Sequence, residues 1–197
     1  MLPPYFSLTR INIYNIIYLM IFYKVLLAIG PDKPGIVNTV SAFLTERGCN
    51  LEDSKMSVLG EDFALVMLFS GALNSIEKVK ADIKSLESSV GLTTLLKDTK
   101  APTVHRKEAS IPYKLEAFGM DHPGIVNEIT GVLHKNRINV ESMETGVGNA
   151  PVSGTPVFHM YIKMTVPASL PISKLKDELS KVEGKQNLNI TLSPSEI

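Results

Sequence analysis

Two nine-residue segments carry the side chains whose types and spacing could bind a small ligand. They read GPDKPGIVN at Gly30–Asn38 and GMDHPGIVN at Gly119–Asn127, and we call them the first and the second corner. An aspartate in each corner could receive the ammonium group of an amino acid, and the Gly-Ile-Val that follows could present backbone N–H groups to its carboxylate. The candidate binding residues are Asp32, Gly35, Ile36, Asn38, Asn50, Asp121, Gly124, Ile125, Asn127 and Asn139.

The two asparagines outside the corners recur at the same spacing. Asn50 and Asn139 come where the chain is predicted to leave a helix and enter a strand. Their amides could both donate to and accept from a zwitterion. Aspartate and asparagine also favour turns and helix caps, so purely structural roles are an alternative. The glycines at 35 and 124 likewise allow either the close approach of a ligand or tight packing of a helix on a sheet.

We find no residue pattern that indicates catalysis or a resident metal. No serine or cysteine is paired with a histidine, and no glycine-rich loop with a lysine could cradle phosphate. Cys49 aligns with Ile138 of the second copy, which predicts a small buried residue rather than a nucleophile. The chain is therefore predicted to be no enzyme and to hold no cofactor. The histidines lack metal-ligand spacing: His105, His122, His134 and His159.

Composition limits the classes of partner. The chain has 197 residues, with 20 Lys plus Arg and 20 Asp plus Glu, so its formal net charge is zero. Without a basic field, direct binding to nucleic acid is not expected. The single cysteine excludes an intrachain disulfide, and the cytoplasm is the expected compartment.

The stretch from Ile11 to Ile29 is almost continuously apolar and resembles a signal peptide or a membrane anchor. Against this, Asn12, Asn15 and Lys24 interrupt it, and cleavage after Gly30 would remove a strand that the repeat requires. We therefore expect no membrane association. Residues 1–19 precede Met20 and are interpreted as a leader or an over-extended start, with an anchor as the alternative.

The chain contains two copies of one unit. The corners lie 89 residues apart, and farther along the offset becomes 96, which places Phe63 over His159. The second copy thus gains about seven residues, which we assign to the loop-forming segment 148–154. The predicted domain organisation is an N-terminal apolar extension at 1–22, a first unit at 23–98, a polar linker at 99–112 and a second unit at 113–197.

Each copy has the element order strand, helix, strand, strand, helix, strand. Strands at Tyr23–Ile29 and Tyr113–Phe118 precede the corners, and Pro34 and Pro123 are predicted to start helices. The order predicts an α+β fold of two tandem ferredoxin-like units, each with an antiparallel four-stranded sheet and two helices on one face. The other face of each sheet needs a cover, from the other unit or from a second chain.

Both corners read Asp-x-Pro-Gly-Ile, and a Gly-x-Asn follows about thirteen residues beyond Gly35, at 48–50. This pattern resembles tandem ACT domains. The resemblance is closest to the glycine cleavage system transcriptional repressor family and covers residues 23–193. ACT domains bind amino acids between the first strand-to-helix corner of one domain and the second strand of its neighbour, which implies the ten candidate residues above. Serine-binding ACT domains have His and Asn at the positions of Gly30 and Asp32, and Arg137 stands where the first copy has Gly48.

The resemblance implies a sensor of a small amino acid, glycine or serine, that forms a homodimer and regulates transcription by contacting a DNA-bound activator. Two alternatives stay open. One is a regulatory subunit of a metabolic enzyme, or a relative of formyltetrahydrofolate deformylase, whose ACT segment begins similarly. The other is a dimerisation module without ligand.

Overall fold

The computed structural model describes residues 20–102, 109–150 and 154–195. They form two compact units, divided near residue 105. Each unit is an antiparallel four-stranded sheet with two helices in the predicted order. The predicted α+β class and the tandem ferredoxin-like units are therefore confirmed.

The first unit has strand order β2-β3-β1-β4, so that β1 and β3 are the inner strands. Its elements are β1 at Ile21–Pro31, α1 at Ile36–Glu46, β2 at Asn50–Leu59, β3 at Asp62–Ala72, α2 at Leu73–Val90 and β4 at Thr93–Thr99.

The second unit repeats this topology with strand order β6-β7-β5-β8. Its elements are β5 at Ser110–Met120, α3 at Ile125–Lys135, β6 at Asn139–Asn149, β7 at Pro156–Pro167, α4 at Ile172–Gln186 and β8 at Leu188–Pro194.

The helices cover one face of each sheet because alternate strand residues and one stripe of each helix are apolar. Burial of these side chains removes apolar surface from water and holds the helices on the sheet. In the first unit the core includes Leu26, Ala28, Val40, Leu44, Leu65, Met67, Ile76 and Val79. In the second unit it includes Leu115, Ala117, Ile129, Leu133, Met160, Ile162, Leu175 and Leu179.

The apolar stretch that resembles a membrane anchor is, from Ile21 onward, an inner strand of the first sheet. Lys24 lies on the helix-covered face of β1, where it is buried and forms an ion pair with Asp98 of β4. None of the helices in the described ranges is long and apolar enough to span a membrane. The predicted leader, anchor or over-extended start at residues 1–19 lies outside the described residues.

The repeat register in the third strand differs by one residue from the predicted offset of 96. Phe63 pairs with Gly30 in the first sheet, and Phe158, not His159, pairs with Gly119 in the second. A shift of one residue turns a strand over, so the predicted match would have placed His159 on the core face. The apolar residues of β7 instead match those of β3 at an offset of 95, as burial of both Phe63 and Phe158 requires.

Two predicted boundaries also differ. Helices α1 and α3 begin at Ile36 and Ile125, two residues after the prolines that were predicted to start them, because a glycine in a left-handed conformation intervenes. Strands reach into the predicted linker from both sides, since Thr99 pairs with Tyr23 and Ser110 pairs with Pro167. The stretch between these two strands is thus shorter than the 99–112 assigned from sequence.

Candidate functional site

The first corner connects the end of β1 to the start of α1. The backbone N–H of Asp32 donates to the carbonyl of Glu61 at 3.1 Å, which ties the corner to the hairpin between β2 and β3. Gly35 is the N-cap residue with φ 89°, and its carbonyl accepts from the backbone N–H of Thr39 at 2.9 Å. A methyl group added to Gly35 would meet no heavy atom within 4 Å. The glycine at this position is therefore required for backbone conformation, not for packing.

The second corner has the same geometry. The backbone N–H of Asp121 donates to the carbonyl of Pro156 at 3.2 Å, and Gly124 is the N-cap residue with φ 103°. The carbonyl of Gly124 accepts from the backbone N–H of Glu128 at 3.0 Å. The two corners thus share the same backbone conformation in the region that could bind a ligand.

Both helices start without a side-chain cap among the described residues. The first N–H groups of such a helix lack intrahelical partners and carry a partial positive charge, so they favour a carboxylate. Ile36 and Ile125 are buried in the cores, so these two candidates offer a ligand only their backbone. The exposed candidates of the corners are Asp32, Gly35, Asn38, Asp121, Gly124 and Asn127.

The glycine that opens each corner is needed for close packing. A methyl group at Gly30 would lie 2.6 Å from the carbonyl oxygen of Gly91, and one at Gly119 would lie 2.6 Å from the side chain of Leu188. Contacts this short do not occur in folded proteins, so a side chain at either position would displace its neighbour. The histidine that serine-binding ACT domains carry at the position of Gly30 therefore has no room in this backbone.

The structure does not bring the corner aspartate and the candidate asparagine together within one unit. Asn50 is level with Ser70 and Tyr23 at the start of β1, whereas Asp32 follows the end of that strand. Eight strand residues separate the two levels, which corresponds to about 27 Å. In the second unit Asn139 pairs with Thr165, which pairs with Pro112, and Asp121 follows the far end of β5.

Asn50 is already engaged by a neighbouring carboxylate. Its side-chain amide donates to Glu52 at 3.1 Å, and the hydroxyl of Ser70 donates to the same carboxylate oxygen. These bonds, first the one from Ser70 and then the one from Asn50, lower the pKa of Glu52. Glu52 occupies the bulge between Leu51 and Asp53, which turns it toward Asn50. A ligand that uses the Asn50 amide must therefore replace this contact.

A basic residue behind each corner was not among the candidates. The ring nitrogens of His122 lie 3.0 Å and 3.3 Å from the carbonyl oxygens of Gln186 and Pro123, respectively. Since both partners accept, both ring nitrogens must carry protons to donate. The pKa of His122 is accordingly raised, chiefly by the bond to Gln186. Lys33 holds the same place in the first unit, and its ammonium lies beside Gly91 at the end of α2.

These cations face the carboxyl ends of α2 and α4, where unpaired helix carbonyls favour positive charge. The available signal was the position between Asp and Pro, which is Lys33 in one corner and His122 in the other. Both residues can be basic, but two copies are few from which to recognise such a pattern.

Two cavities lie away from the corner aspartates, and only the first of them is lined by a candidate residue. One, of about 310 Å³, lies between α1 and α2, with Asn38, Thr39 and Arg47 in its lining. The other, of about 390 Å³, lies beside the start of β6, with Glu141 and Lys163 in its lining. Asn38 thus faces the groove between two helices, and the second cavity combines a carboxylate with an ammonium group.

Cys49 is buried and its thiol is free. Burial raises the pKa of this thiol, and the nearby charge of Arg47 only partly offsets that effect. The thiolate is therefore disfavoured, as expected of a small core residue and not of a nucleophile. No group of His, Cys, Asp and Glu side chains that could hold a metal ion occurs in the part of the chain that the structure describes.

Comparison with known proteins identifies the units. Residues 23–97 match the family model of the ACT domain. The first unit is thus an ACT domain. The second unit has the same topology as the first, so the chain carries two ACT domains in tandem.

Relatives that match both ACT domains are regulators by name. The chain is 28% identical to the glycine cleavage system transcriptional repressor of Escherichia coli (strain K12) over 154 residues, which is 78% of this chain and 80% of the relative. These relatives support the prediction that the chain is not an enzyme.

Two solved structures are similar to this chain over both units. A protein of unknown function from Galdieria sulphuraria superposes with a TM-score of 0.73 at 27% identity, covering 90% of this chain and 100% of that chain. A candidate glycine cleavage system transcriptional repressor superposes with a TM-score of 0.67 at 25% identity, covering 90% of this chain and 99% of that chain. The resemblance to this repressor family is thus supported by sequence and by structure.

Proposed function

We propose that this tandem ACT-domain protein is an amino-acid-responsive regulator that modulates transcription through contact with another protein. The observation that carries the proposal is the duplicated corner, in which an exposed aspartate precedes a helix that starts at a left-handed glycine without a side-chain cap. Such a corner offers a carboxylate to an ammonium group and backbone N–H groups to a carboxylate, which suits a small zwitterion.

The ligand is proposed to be glycine or serine, held by the ten candidate residues. Similarity to a glycine cleavage system transcriptional repressor over most of the chain supports this class of ligand. Asp32 and Asn50 are about 27 Å apart along one sheet, so a ligand that touches both groups must take them from two different domains. Binding is therefore expected to require an assembly of ACT domains.

Calorimetric titration of the full chain with glycine, serine and the branched-chain amino acids tests the ligand. We expect glycine or serine to bind and Asp32→Ala and Asp121→Ala to weaken that binding, because each variant removes a partner of the ammonium group. Asp177→Ala is the matched control, since Asp177 is an equally exposed aspartate on α4. Absence of heat with every amino acid would remove the sensor function, and a chain that regulates nonetheless would be a dimerisation module.

The mode of regulation is tested separately. The neutral chain is expected to bind no DNA fragment by itself and to retard the complex of that DNA with its activator protein, in an amino-acid-dependent manner. Retardation of naked DNA would contradict action through protein contact. We also propose a cytoplasmic location for this regulator, which fractionation of cells that express it would check.

A further inference from the structure

The uncovered faces of the two sheets differ in chemistry. On the first sheet, the face opposite the helices is built by four rows of paired residues that cross the strands in the order β2-β3-β1-β4. We call it the open face, and its inner columns are apolar except at Ser70, whose hydroxyl donates to Glu52. The rows are Asn50–Ser70–Tyr23–Thr99, Asp53–Leu68–Val25–Lys97, Lys55–Val66–Leu27–Leu95 and Ser57–Ala64–Ile29–Thr93.

The apolar side chains of the open face are exposed to an unusual degree. Leu27, Ile29, Val66 and Leu95 keep 44%, 50%, 42% and 61% of their surface accessible. From strand and residue spacings the four rows span about 400 Å². An exposed apolar patch of about this size on a single chain is often an interaction site.

The corresponding face of the second sheet carries more charge, beside the exposed aromatic side chains of Phe118 and Tyr161. Its rows carry Lys114, Glu116, Glu144 and Lys163, and Lys114 and Glu116 form an ion pair at 3.4 Å. Against such a face the apolar columns of the first sheet would desolvate charges without pairing them, which costs free energy. The open face therefore calls for an apolar partner.

We propose that the open face of the first ACT domain docks on the same face of a second copy of this chain, about a two-fold axis parallel to the strands. Such an axis places β1 of one copy over β3 of the other, and β2 over β4. Sheets that pack face to face keep their strands within about 30° of each other, so the rows stay close to level.

Size complementarity favours this axis. It sets Ile29 against Ala64 of the other copy and Tyr23 against Ser70, so that in the two end rows a large side chain meets a small one. A two-fold axis perpendicular to the strands would instead set Tyr23 against Ile29 and Ser70 against Ala64. Large against large and small against small leaves clashes and gaps in a face that needs to interdigitate.

The proposed axis also satisfies the charged groups at the rim. Asp53 on β2 and Lys97 on β4 are both exposed and lie in the same row, joined through Leu68 and Val25. The proposed axis brings Asp53 of each copy opposite Lys97 of the other, which forms two ion pairs at the rim. In the next row the aliphatic part of Lys55 covers Leu95.

Sedimentation velocity across a wide range of protein concentrations tests the proposal. Stable interfaces bury about 800 Å² per partner, and the open face is smaller than that. We therefore expect a weak dimer whose population rises with protein concentration. Asp53→Lys and Lys97→Asp should each weaken association about tenfold, because each places like charges opposite one another twice. Glu144→Lys, the matched charge reversal on the second sheet, should leave association unchanged. A chain that stays monomeric, or a dimer indifferent to both reversals, would overturn the proposal.

Mixing the two single variants provides the decisive measurement. In a heterodimer of the Asp53→Lys chain with the Lys97→Asp chain, both rim contacts regain opposite charges under the proposed axis. We therefore expect the mixture to associate as tightly as the unmodified chain, although neither variant does so alone. The perpendicular axis would instead bring Asp53 of one copy opposite Lys55 of the other. If mixing gives no recovery, and the double variant Asp53→Lys with Lys55→Asp in one chain restores the dimer, that axis is correct and this proposal is wrong.

Discussion

Replacement of Gly30 by alanine is predicted to destabilise the first ACT domain through a backbone clash. The added methyl group would lie 2.6 Å from the carbonyl oxygen of Gly91, 3.1 Å from a methyl of Leu92 and 3.3 Å from its Cα. Ordinary contacts begin near 3.4 Å, so β1 and the start of β4 must separate by about 0.8 Å, the difference of the two distances. The partner is main chain, so a change of side-chain rotamer cannot relieve the contact.

Two effects of opposite sign set the magnitude. Overpacking of a well-packed site costs about 1 to 3 kcal/mol, and a backbone partner favours the upper part of that range. Against this, alanine loses less conformational entropy than glycine on folding, which contributes up to about 1 kcal/mol. The net prediction for Gly30→Ala is a loss of about 2 kcal/mol, or roughly 8 to 16 °C in the Tm of a domain of this size.

Urea and thermal denaturation of the full chain, followed by circular dichroism, provide the measurement. Gly131→Ala is the control, because Gly131 lies within α3 and an added methyl group would meet no heavy atom within 4 Å. There the same substitution should stabilise the protein by about 1 kcal/mol, since alanine is the better helix former. If Gly30→Ala changes stability by no more than the control, the close approach of Gly30 to Gly91 is not what requires glycine.

Four further outcomes are expected. His122 has a raised pKa, so its contribution to the stability of the second domain is fully present below the unfolded value near 6.5 and is lost as pH rises through the folded pKa. The Tm difference between the wild type and His122→Gln should therefore shrink as pH rises from acidic to alkaline, and a constant difference would exclude the contact with Gln186. Leu26→Ala, at a fully buried position, should lower the free energy of unfolding by about 2 to 5 kcal/mol. Leu27 is its neighbour on the exposed open face. Leu27→Ala should lower the free energy of unfolding of the monomer by less than about 0.5 kcal/mol, and should instead weaken self-association. Glu52→Gln should remove the acid-side loss of stability that a lowered carboxyl pKa produces, measured as a flatter Tm profile when pH falls through the folded pKa.

Much of the fold could be predicted because apolar residues recur at regular helix and strand spacings, and because the same pattern occurs in both units. Helices α1 and α3 each follow a Pro-Gly and keep one buried stripe, and the alternation in Phe158–Val166 marks β7 without ambiguity. The alignment of β3 with β7 could not be predicted from the sequence. Apolar residues stand at both parities around Phe63 and His159, and only pairing with β1 and β5 decides which of them face the core.

The candidate site was predictable at the level of the corner and not at the level of contacts. Sequence alone could place Asp32 before a helix, but the left-handed conformation of Gly35 and the clash that reserves Gly30 depend on backbone geometry. Likewise, the sequence places the amide of Asn50 at the start of β2. Its hydrogen bond to Glu52 depends on a β-bulge, which the residue types at this position do not predict. Lys33 and His122 were not among the candidates because they face backbone carbonyls at helix ends. Every residue has a backbone carbonyl, so the sequence does not indicate such an arrangement.

The separation of Asp32 from Asn50 links ligand binding to assembly. Both groups belong to one duplicated unit, but the sheet holds them at opposite ends, about 27 Å apart. A zwitterion a few ångströms long can bridge them only where a corner of one domain meets the second strand of another. Any ligand that contacts both must then stabilise the assembled form over separated domains, because it gains its second contact only there. An amino acid could in this way change the surface that the protein presents to a partner without any rearrangement inside a domain.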